Sequence, residues 1–328
     1  MTAHALDGLK LTPCWRSFVG ALHAALSVVD STEYGLHELA GRTGFAFHIN
    51  VHSDICPSGP TAFASGRACR RAFDQVGWDF DRFSADSSEN TFSLVQTRAA
   101  AAIEAAVRRG VPAIVWGIDI GEYSIVSGCD GDKRVFSVST TLGPEFDAKG
   151  LPYDRIGLGP VPIIDVYIPL EKVDIDPAAA AAESIKIAVG HALGAEAHLP
   201  GYANGLAAYG LWIEALRAGR AQLFGMAYNS AVYAEARAFA KEYLADLVSS
   251  SLLAPADLLA EAAKNYEHAA DNLAALADMF PFSGDLPHDE FVSGEKAGEA
   301  AALLERALFW EHAGVRNLES VLKTLNAR

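Results

Sequence analysis

Several residue patterns are absent from this 328-residue sequence, and each absence narrows the class of protein. It has only four cysteines, and no two of them have the C-x-x-C spacing of a zinc ribbon or a thioredoxin-type pair. No apolar stretch is long enough to cross a bilayer, and the first residues lack the basic segment and apolar core of a signal peptide. These absences predict a cytoplasmic protein whose cysteines are free thiols.

Basic residues are also scarce, with 26 Lys and Arg against 41 Asp and Glu and a formal net charge of −15. An acidic surface repels both a phosphate backbone and an anionic membrane, so neither nucleic acid nor a membrane is the expected partner. The 51% hydrophobic content is typical of a well-buried globular protein. We expect a small-molecule substrate as the partner, and the sequence leaves the oligomeric state open, with a homo-oligomer as one option.

The apolar pattern changes near residue 173. Before it, helix and strand signals alternate, whereas after it Asp176-Pro177 is a strong helix start and the segments that follow are rich in Ala and Leu. We predict an α+β domain over residues 1–173 and a helical domain over residues 174–328 that packs on it. The predicted strands are 45–52, 111–117, 123–128, 134–139 and 163–170, and the predicted helices are one after Cys14 and those at 66–77, 96–109, 176–194, 202–218, 226–247, 256–280 and 295–325.

The most informative motif is Gly121-Glu122-Tyr123-Ser-Ile-Val-Ser-Gly-Cys-Asp130, which begins at a bend between two predicted strands. It resembles the pattern Gly-His-Tyr-x-x-Val-x-Gly-Tyr-Asp of bacterial papain-like peptidases that process bacteriocin leaders. In those enzymes the histidine is the catalytic base. Glu122 stands at the position of that histidine.

Cys14 is the candidate nucleophile. It lies in Thr12-Pro13-Cys14-Trp15-Arg16-Ser17, directly before a run with helical apolar spacing. The N-terminus of a helix stabilises a thiolate through its dipole and its free N–H groups. The alternative is that Cys14 is a small buried hydrophobic residue, which is common for a free cysteine.

Two segments together suggest a family. Cys14-Trp-Arg-Ser-Phe-Val-Gly-Ala-Leu22, followed by Leu36-His-Glu-Leu-Ala-Gly-Arg-Thr-Gly-Phe-Ala-Phe47, resembles the N-terminal domain of the butirosin biosynthesis protein H family over roughly residues 10–170. The resemblance implies a papain-like cysteine peptidase fold, here with an all-helical C-terminal region. It also implies acyl transfer from a carrier-protein thioester to an amine.

The glutamate changes the expected chemistry. A carboxylate beside a thiolate is a like-charge pair, and an ionised Glu122 cannot protonate the amine that leaves during amide hydrolysis. A thioester needs no such proton, and a carboxylate can accept a proton from an attacking amine. The next predicted strand offers only hydroxyls, from Ser137, Ser139 and Thr140, where a papain-like triad needs an acid or an amide.

The sequence contains further candidate site residues. His48, Asn50 and His52 alternate along a predicted strand and so share one face. His52 is a candidate base or substrate clamp, and His48 with His52 is an alternative metal site for which no third ligand is evident. Further predicted substrate contacts are Trp116, Asp119, Tyr123, Asn50 and Cys56, with a lid formed by Tyr202, Tyr228 and Asn229.

The sequence therefore predicts a cytoplasmic cysteine-type acyltransferase or amidohydrolase-like enzyme that acts on a small molecule. Cys14 is its expected nucleophile, and Glu122 or His52 its base. An acyl-carrier thioester is one candidate donor, and no cofactor or metal is expected. The alternatives are a non-catalytic small-molecule-binding protein on a retired peptidase fold and a metal-dependent enzyme that uses His48 and His52.

Overall fold

The computed structural model describes residues 3–62, 65–196 and 198–327. Its strands are β1 (His4–Ala5), β2 (Asn50–His52), β3 (Trp78–Asp86), β4 (Ala113–Trp116), β5 (Tyr123–Asp130), β6 (Val135–Ser139), β7 (Leu151–Pro152), β8 (Ile163–Lys172) and β9 (Tyr202–Asn204). Its helices are α1 (Ser17–Val29), α2 (Leu36–Thr43), α3 (Ser65–Val76), α4 (Phe92–Arg108), α5 (Pro144–Asp147), α6 (Pro177–Ala192), α7 (Leu206–Arg217), α8 (Leu223–Ser250), α9 (Ala256–Met279) and α10 (Gly294–Asn326). None of these helices, within the described ranges, is both long and apolar enough for a membrane crossing.

Contacts between residues divide the chain into two compact units. The first unit comprises Met1–Leu36 and Gly77–Asp174, and the second comprises His37–Val76 and Ile175–Arg328. The mixed α+β composition and the helical C-terminal region predicted from the sequence are confirmed. Residues 37–76, which we expected in an N-terminal domain ending at residue 173, group with the C-terminal helices instead.

The first unit is built on an antiparallel sheet of seven strands. The strand order is β3-β8-β4-β5-β6-β7, and β1 pairs with β5 beyond the end of β4. The hairpin of β4 and β5 pairs Trp116 with Tyr123. Glu122 therefore lies in the hairpin loop, one residue before β5 begins.

Helices cover both faces of this sheet. Alternate strand residues such as Val115, Val126 and Val166 are buried in a cluster that contains Ile103 of α4. On the opposite face, the Tyr123 and Tyr167 rings lie 5.2 and 5.8 Å from the ring of Phe18 in α1. The N-terminal half of α1 is thus positioned over the strand that follows Glu122.

Two differences from the predicted elements concern residues 45–86. Strand β3 was not predicted, because its sequence, Trp-Asp-Phe-Asp-Arg-Phe-Ser-Ala-Asp, carries charged residues along an edge strand. Among the described residues, β3 pairs with β8 alone. Residues 45–52 were expected to be one strand, but β2 begins only at Asn50. Gly44 adopts a φ of 85°, and residues 45–47 form a turn there, so His48 lies before the strand and not on its face.

The second unit is an assembly of long helices with the short β2–β9 ribbon. Helix α10 packs on α6, α7 and α9, and α8 packs on α9. The predicted apolar stripe of α9 is buried at Leu259, Ala262, Tyr266 and Leu273. Strand β9 occupies the start of the segment that was predicted as one helix over 202–218, and it pairs antiparallel with β2.

A fully buried ion pair connects these helices. Arg237 of α8 donates two hydrogen bonds to Glu311 of α10, at 2.9 Å from Nε and 2.7 Å from Nη2. The Tyr209 hydroxyl of α7 also donates to Glu311. Arg237 Nη1 donates to the carbonyl oxygens of Ala46 and His48, so that three helices and the chain before β2 share one hydrogen-bond network.

We expect Glu311→Gln to lower the free energy of unfolding by about 3–5 kcal/mol, because it leaves the Arg237 charge buried without a counter-ion. Glu305→Gln on the same helix is the matched control, since Glu305 pairs with Arg217 at the surface and its loss costs less than about 1 kcal/mol. Urea unfolding followed by far-UV circular dichroism measures both. Equal losses in the two variants would contradict the role given to the buried pair.

A second charge cluster, in the first unit, predicts a pH dependence. Burial raises the pKa of Asp30, but hydrogen bonds from Lys172, Trp78 and Thr32 outweigh burial and hold the pKa well below its usual value. A depressed native pKa stabilises the fold above the unfolded-state pKa of about 3.9, and this stabilisation disappears as the pH falls toward the native value. Asp30→Asn should therefore lower the urea midpoint at pH 7, with the difference from wild type shrinking below about pH 4.

The exposed Asp81 of β3 supplies the control for this experiment. Asp81→Asn should change the midpoint little at any pH. A constant gap between Asp30→Asn and wild type from neutral to acidic pH would show that the lost hydrogen bonds, and not the titration of Asp30, carry the effect.

Candidate functional sites

In the first unit, the start of α1 is attached to the start of β5. The Ser17 hydroxyl, at the first residue of α1, donates a hydrogen bond to the Glu122 carboxylate. The Tyr123 backbone N–H donates to Ser17 Oγ at 2.9 Å. A carboxylate is favoured at a helix N-terminus because of the free N–H groups and the helix dipole there. Ser17 is a partner of Glu122 that the sequence did not single out.

Cys14 lies three residues before α1, because the backbone of Arg16 is still non-helical and the helix begins only at Ser17. It is half-buried against the first turn. A Cβ atom on Gly20 would lie 2.3 Å from Thr12 O and 3.2 Å from Cys14 Cβ, so only glycine lets residues 12–14 lie along the helix. Cys14 was expected at the start of the helix. It lies just before the helix, beside the first turn, which begins at Ser17.

Aromatic side chains continue from Glu122 across the α1 face of the sheet. The Trp116 and Tyr123 rings are 5.0 Å apart, and the Tyr123 hydroxyl donates to the buried Asp165 at 2.8 Å. Arg82 neutralises Asp165 through a hydrogen bond of 2.8 Å from Nε. Asp119 is half-buried in the β4–β5 loop.

Asp165 was not predicted, although the sequence contains a signal for it. It interrupts the apolar run Ile163-Ile-Asp-Val-Tyr167, and a carboxylate in a buried strand needs a charged or hydrogen-bonding partner. The partner, Arg82, lies in the strand that the sequence analysis missed.

A surface groove of about 720 Å³ also belongs to the first unit. Residues 5–13 line it together with Ser27 and Val28. It borders the segment that leads to Cys14, but none of the predicted contacts Trp116, Asp119 and Tyr123 is among its lining residues.

In the second unit, a row of polar groups joins the β2–β9 ribbon to the loop after β2. Cys56 Sγ lies 2.9 Å from Ser58 Oγ, which lies 2.7 Å from the Tyr202 hydroxyl. Tyr202 pairs with His52 across the ribbon, and their rings meet edge to face at 4.9 Å. His52 Nδ1 accepts a hydrogen bond from the Asp54 N–H at 3.3 Å.

The side-chain amides of Asn50 and Asn229 donate hydrogen bonds to the backbone of this loop from its buried side. Asn50 Nδ2 donates to Gly59 O at 2.7 Å, and Asn229 Nδ2 donates to Cys56 O at 3.1 Å. Asn229 lies within α8, one turn after Gly225, whose lack of a side chain lets the helix approach Ile55 O. Both asparagines are buried, so their donors serve the loop backbone.

The predicted residues therefore form two groups. Those of the first unit are Cys14, Glu122, Trp116, Asp119 and Tyr123, and those of the second unit are His52, Asn50, Cys56, Tyr202, Tyr228 and Asn229. Two tyrosines of the second group have different neighbours. The ring of Tyr228 packs 5.8 Å from that of Phe282, whereas the hydroxyl of Tyr202 is hydrogen-bonded to Ser58.

His48 was considered together with His52 as a metal site, but in the structure its ring lies beside that of His191. Its ring lies 4.2 Å from that of His191 at the end of α6, and His191 Nδ1 is 2.9 Å from Glu196 Oε2. The hydrogen bond from His191 lowers the pKa of Glu196 to about 2, with burial opposing and Arg71 reinforcing the shift. Neither His191 nor Glu196 was identified from the sequence, because both lie more than a hundred residues from His48 and neither has a motif.

We expect competitive alkylation of the native protein with iodoacetamide to modify Cys14 fastest. Cys14 is half-buried beside a helix N-terminus, which favours a thiolate, whereas Cys56 is half-buried in the loop after β2. Cys69 and Cys129 are buried, and burial raises the pKa of Cys129. Peptide mass spectrometry gives the four rates, and labelling of Cys14 no faster than of Cys56, Cys69 and Cys129 would indicate a purely structural cysteine.

No model of a known protein family matches this sequence, and no curated protein matches it.

Proposed function

We propose that the protein is a cysteine-dependent acyltransferase that moves an acyl group from a thioester to the amine of a small molecule. The observation that carries the proposal is the contact of the Glu122 carboxylate with Ser17 at the first turn of α1, beside the segment that holds Cys14. It brings a proton acceptor to the helix end where a thiolate is best stabilised.

A papain-like fold of the first unit is part of the same proposal. It is supported by an early helix whose N-terminus meets the residue before a strand about a hundred positions later, with the helix packed on an antiparallel sheet. This is the arrangement that the resemblance to papain-like peptidases implies, with Glu122 in the place of their histidine.

The chemistry has two steps. The Cys14 thiolate attacks the thioester carbonyl and expels the donor as a thiolate, which takes its proton from solvent. The amine then attacks the acyl-cysteine, Glu122 accepts the amine proton, and the Cys14 thiolate leaves as the amide forms. Both leaving groups are thiolates, so no group has to act as an acid.

Ser17 is a positioning residue in this scheme. Its hydroxyl donates to Glu122 and is itself held by the Tyr123 N–H. Trp116, which is only half-buried, supplies an aromatic ring that suits an amine bound as its ammonium ion, and this ion loses one proton to solvent before the amine attacks.

A second candidate function is small-molecule binding without catalysis. It is favoured by the same hydrogen bond, because Ser17 holds the Glu122 carboxylate in place, where its charge attracts an amine without any reaction at Cys14. In that case an amine would bind at Glu122 and no acyl group would appear on Cys14.

The test is acylation of the intact protein by a panel of small acyl thioesters, read by protein and peptide mass. We expect the acyl group on Cys14 and its release by added amines. Glu122→Gln should still become acylated but should transfer the acyl group about 10²- to 10⁴-fold more slowly, because the general base is lost. Cys14→Ser should abolish acylation, and Cys56→Ser, at the other half-buried cysteine, should leave it intact.

Three outcomes would contradict the proposal. Unchanged transfer in Glu122→Gln would remove the glutamate as the base. Acylation of Cys56 in place of Cys14 would move the reaction to the second unit, and amine binding without any acylation would establish the binding function.

A further inference from the structure

We propose that His48, His191 and Glu196 of the second unit form a binding site for a divalent transition-metal ion of the zinc type. One ligand atom from each of the three residues lies within 4.8 Å of the others. Zinc binds histidine nitrogen at about 2.0–2.1 Å and carboxylate oxygen at about 2.0–2.2 Å, so one ion reaches all three after small side-chain movements. Two imidazoles and one carboxylate are also a ligand set that open zinc sites use.

The surroundings of His191 suit a metal ligand. Its Nδ1 faces Glu196 Oε2 at 2.9 Å, and its Nε2 lies 3.0 Å from the carbonyl oxygen of Ile49. A ligating histidine usually donates its other ring N–H to a carbonyl or carboxylate, which fixes the ring. Ile49 O is placed for that role.

Metal binding at Nδ1 requires the tautomer whose ring proton lies on Nε2. In the other tautomer the ring proton is directed at Glu196, and the Ile49 N–H, 2.9 Å from Nε2, donates to the ring. With the ion on Nδ1, the proton lies on Nε2 and is donated to Ile49 O. In this state the Ile49 N–H loses the ring nitrogen as its acceptor, which lowers the affinity for the ion but does not prevent binding.

The other two ligands are also held from outside. Arg71 donates to Glu196 Oε1 at 2.6 Å, which leaves Oε2 directed at His191. The His48 carbonyl accepts from Arg237, so the backbone beside the second imidazole is fixed by the buried ion pair. Both histidines are buried, at 5% and 2% exposure, and neutral buried imidazoles are the form that binds metal.

The probe is zinc, added to tag-free full-length protein that has been stripped with a chelator and dialysed. We expect one zinc per chain by elemental analysis and a rise in the thermal midpoint on zinc addition, because an ion that binds only the folded state stabilises it. Cobalt in place of zinc should give visible absorption bands.

Variants separate this site from zinc held elsewhere, including at cysteines. Glu196→Gln keeps an acceptor for His191 but should weaken zinc binding at least about 100-fold, since even groups outside the ligand set cost 10- to 100-fold. His48→Gln should do the same, whereas His312→Gln, at an exposed histidine of α10, should bind zinc like wild type. Each variant is checked for folding by its zinc-free thermal midpoint.

Absence of zinc after reconstitution, or zinc binding that survives both Glu196→Gln and His48→Gln, would overturn the proposal. His191 and Glu196 would then be a structural pair that fastens the end of α6 to the chain before β2. The acyl-transfer proposal is independent of this result, since it rests on Cys14 and Glu122 in the first unit.

Discussion

The second unit depends on one ion pair that is removed from water. Burying Arg237 and Glu311 costs several kcal/mol per charge, and a bidentate contact with further hydrogen bonds is needed to offset that cost. Tyr209 and two backbone carbonyls supply those further hydrogen bonds. Because each partner lies on a different element, the pair is satisfied in one arrangement of α7, α8, α10 and residues 46–48. The position of the His48 backbone follows from that arrangement.

The first unit depends on a smaller polar contact, a hydrogen bond from a hydroxyl to a carboxylate. Ser17 connects the Glu122 carboxylate and the first amide of β5 to the first turn of α1. The helix end attracts anions, and both Glu122 and a Cys14 thiolate would benefit from it. An ionised carboxylate near a thiolate can accept a proton from a nucleophilic amine. It cannot deliver a proton to a leaving group, so it favours aminolysis of a thioester over hydrolysis of an amide. Under the proposed acyl transfer, the same hydrogen-bonded carboxylate would both connect α1 to β5 and select the reaction.

Elements with strong periodicity were predicted from the sequence, and those whose residues take their partners from distant segments were not. The long helices, the β4–β5 hairpin and β8 lie close to their expected positions, since buried apolar faces recur at fixed spacing along each of them. Strand β3 was missed because Arg82 and its acidic neighbours suppress the apolar alternation of an edge strand, although Arg82 is needed by Asp165. Strand β9 was missed because its three residues adjoin a helix and exist as a strand only when paired with β2.

For the candidate sites, the sequence by itself determined the chemical types present: an early cysteine before a helix, a glutamate at a strand start and two histidines near residue 50. These follow from local pattern and from the order of residues along the chain. The tertiary structure alone decided that Ser17 is hydrogen-bonded to Glu122 and that Ser58 is hydrogen-bonded to both Cys56 and Tyr202. It also decided that His48 lies beside His191 and Glu196 in place of His52. The physical reason is that a hydrogen bond or a ligand set depends on distances of about 3 Å. Such distances between remote segments arise only when helices and strands pack.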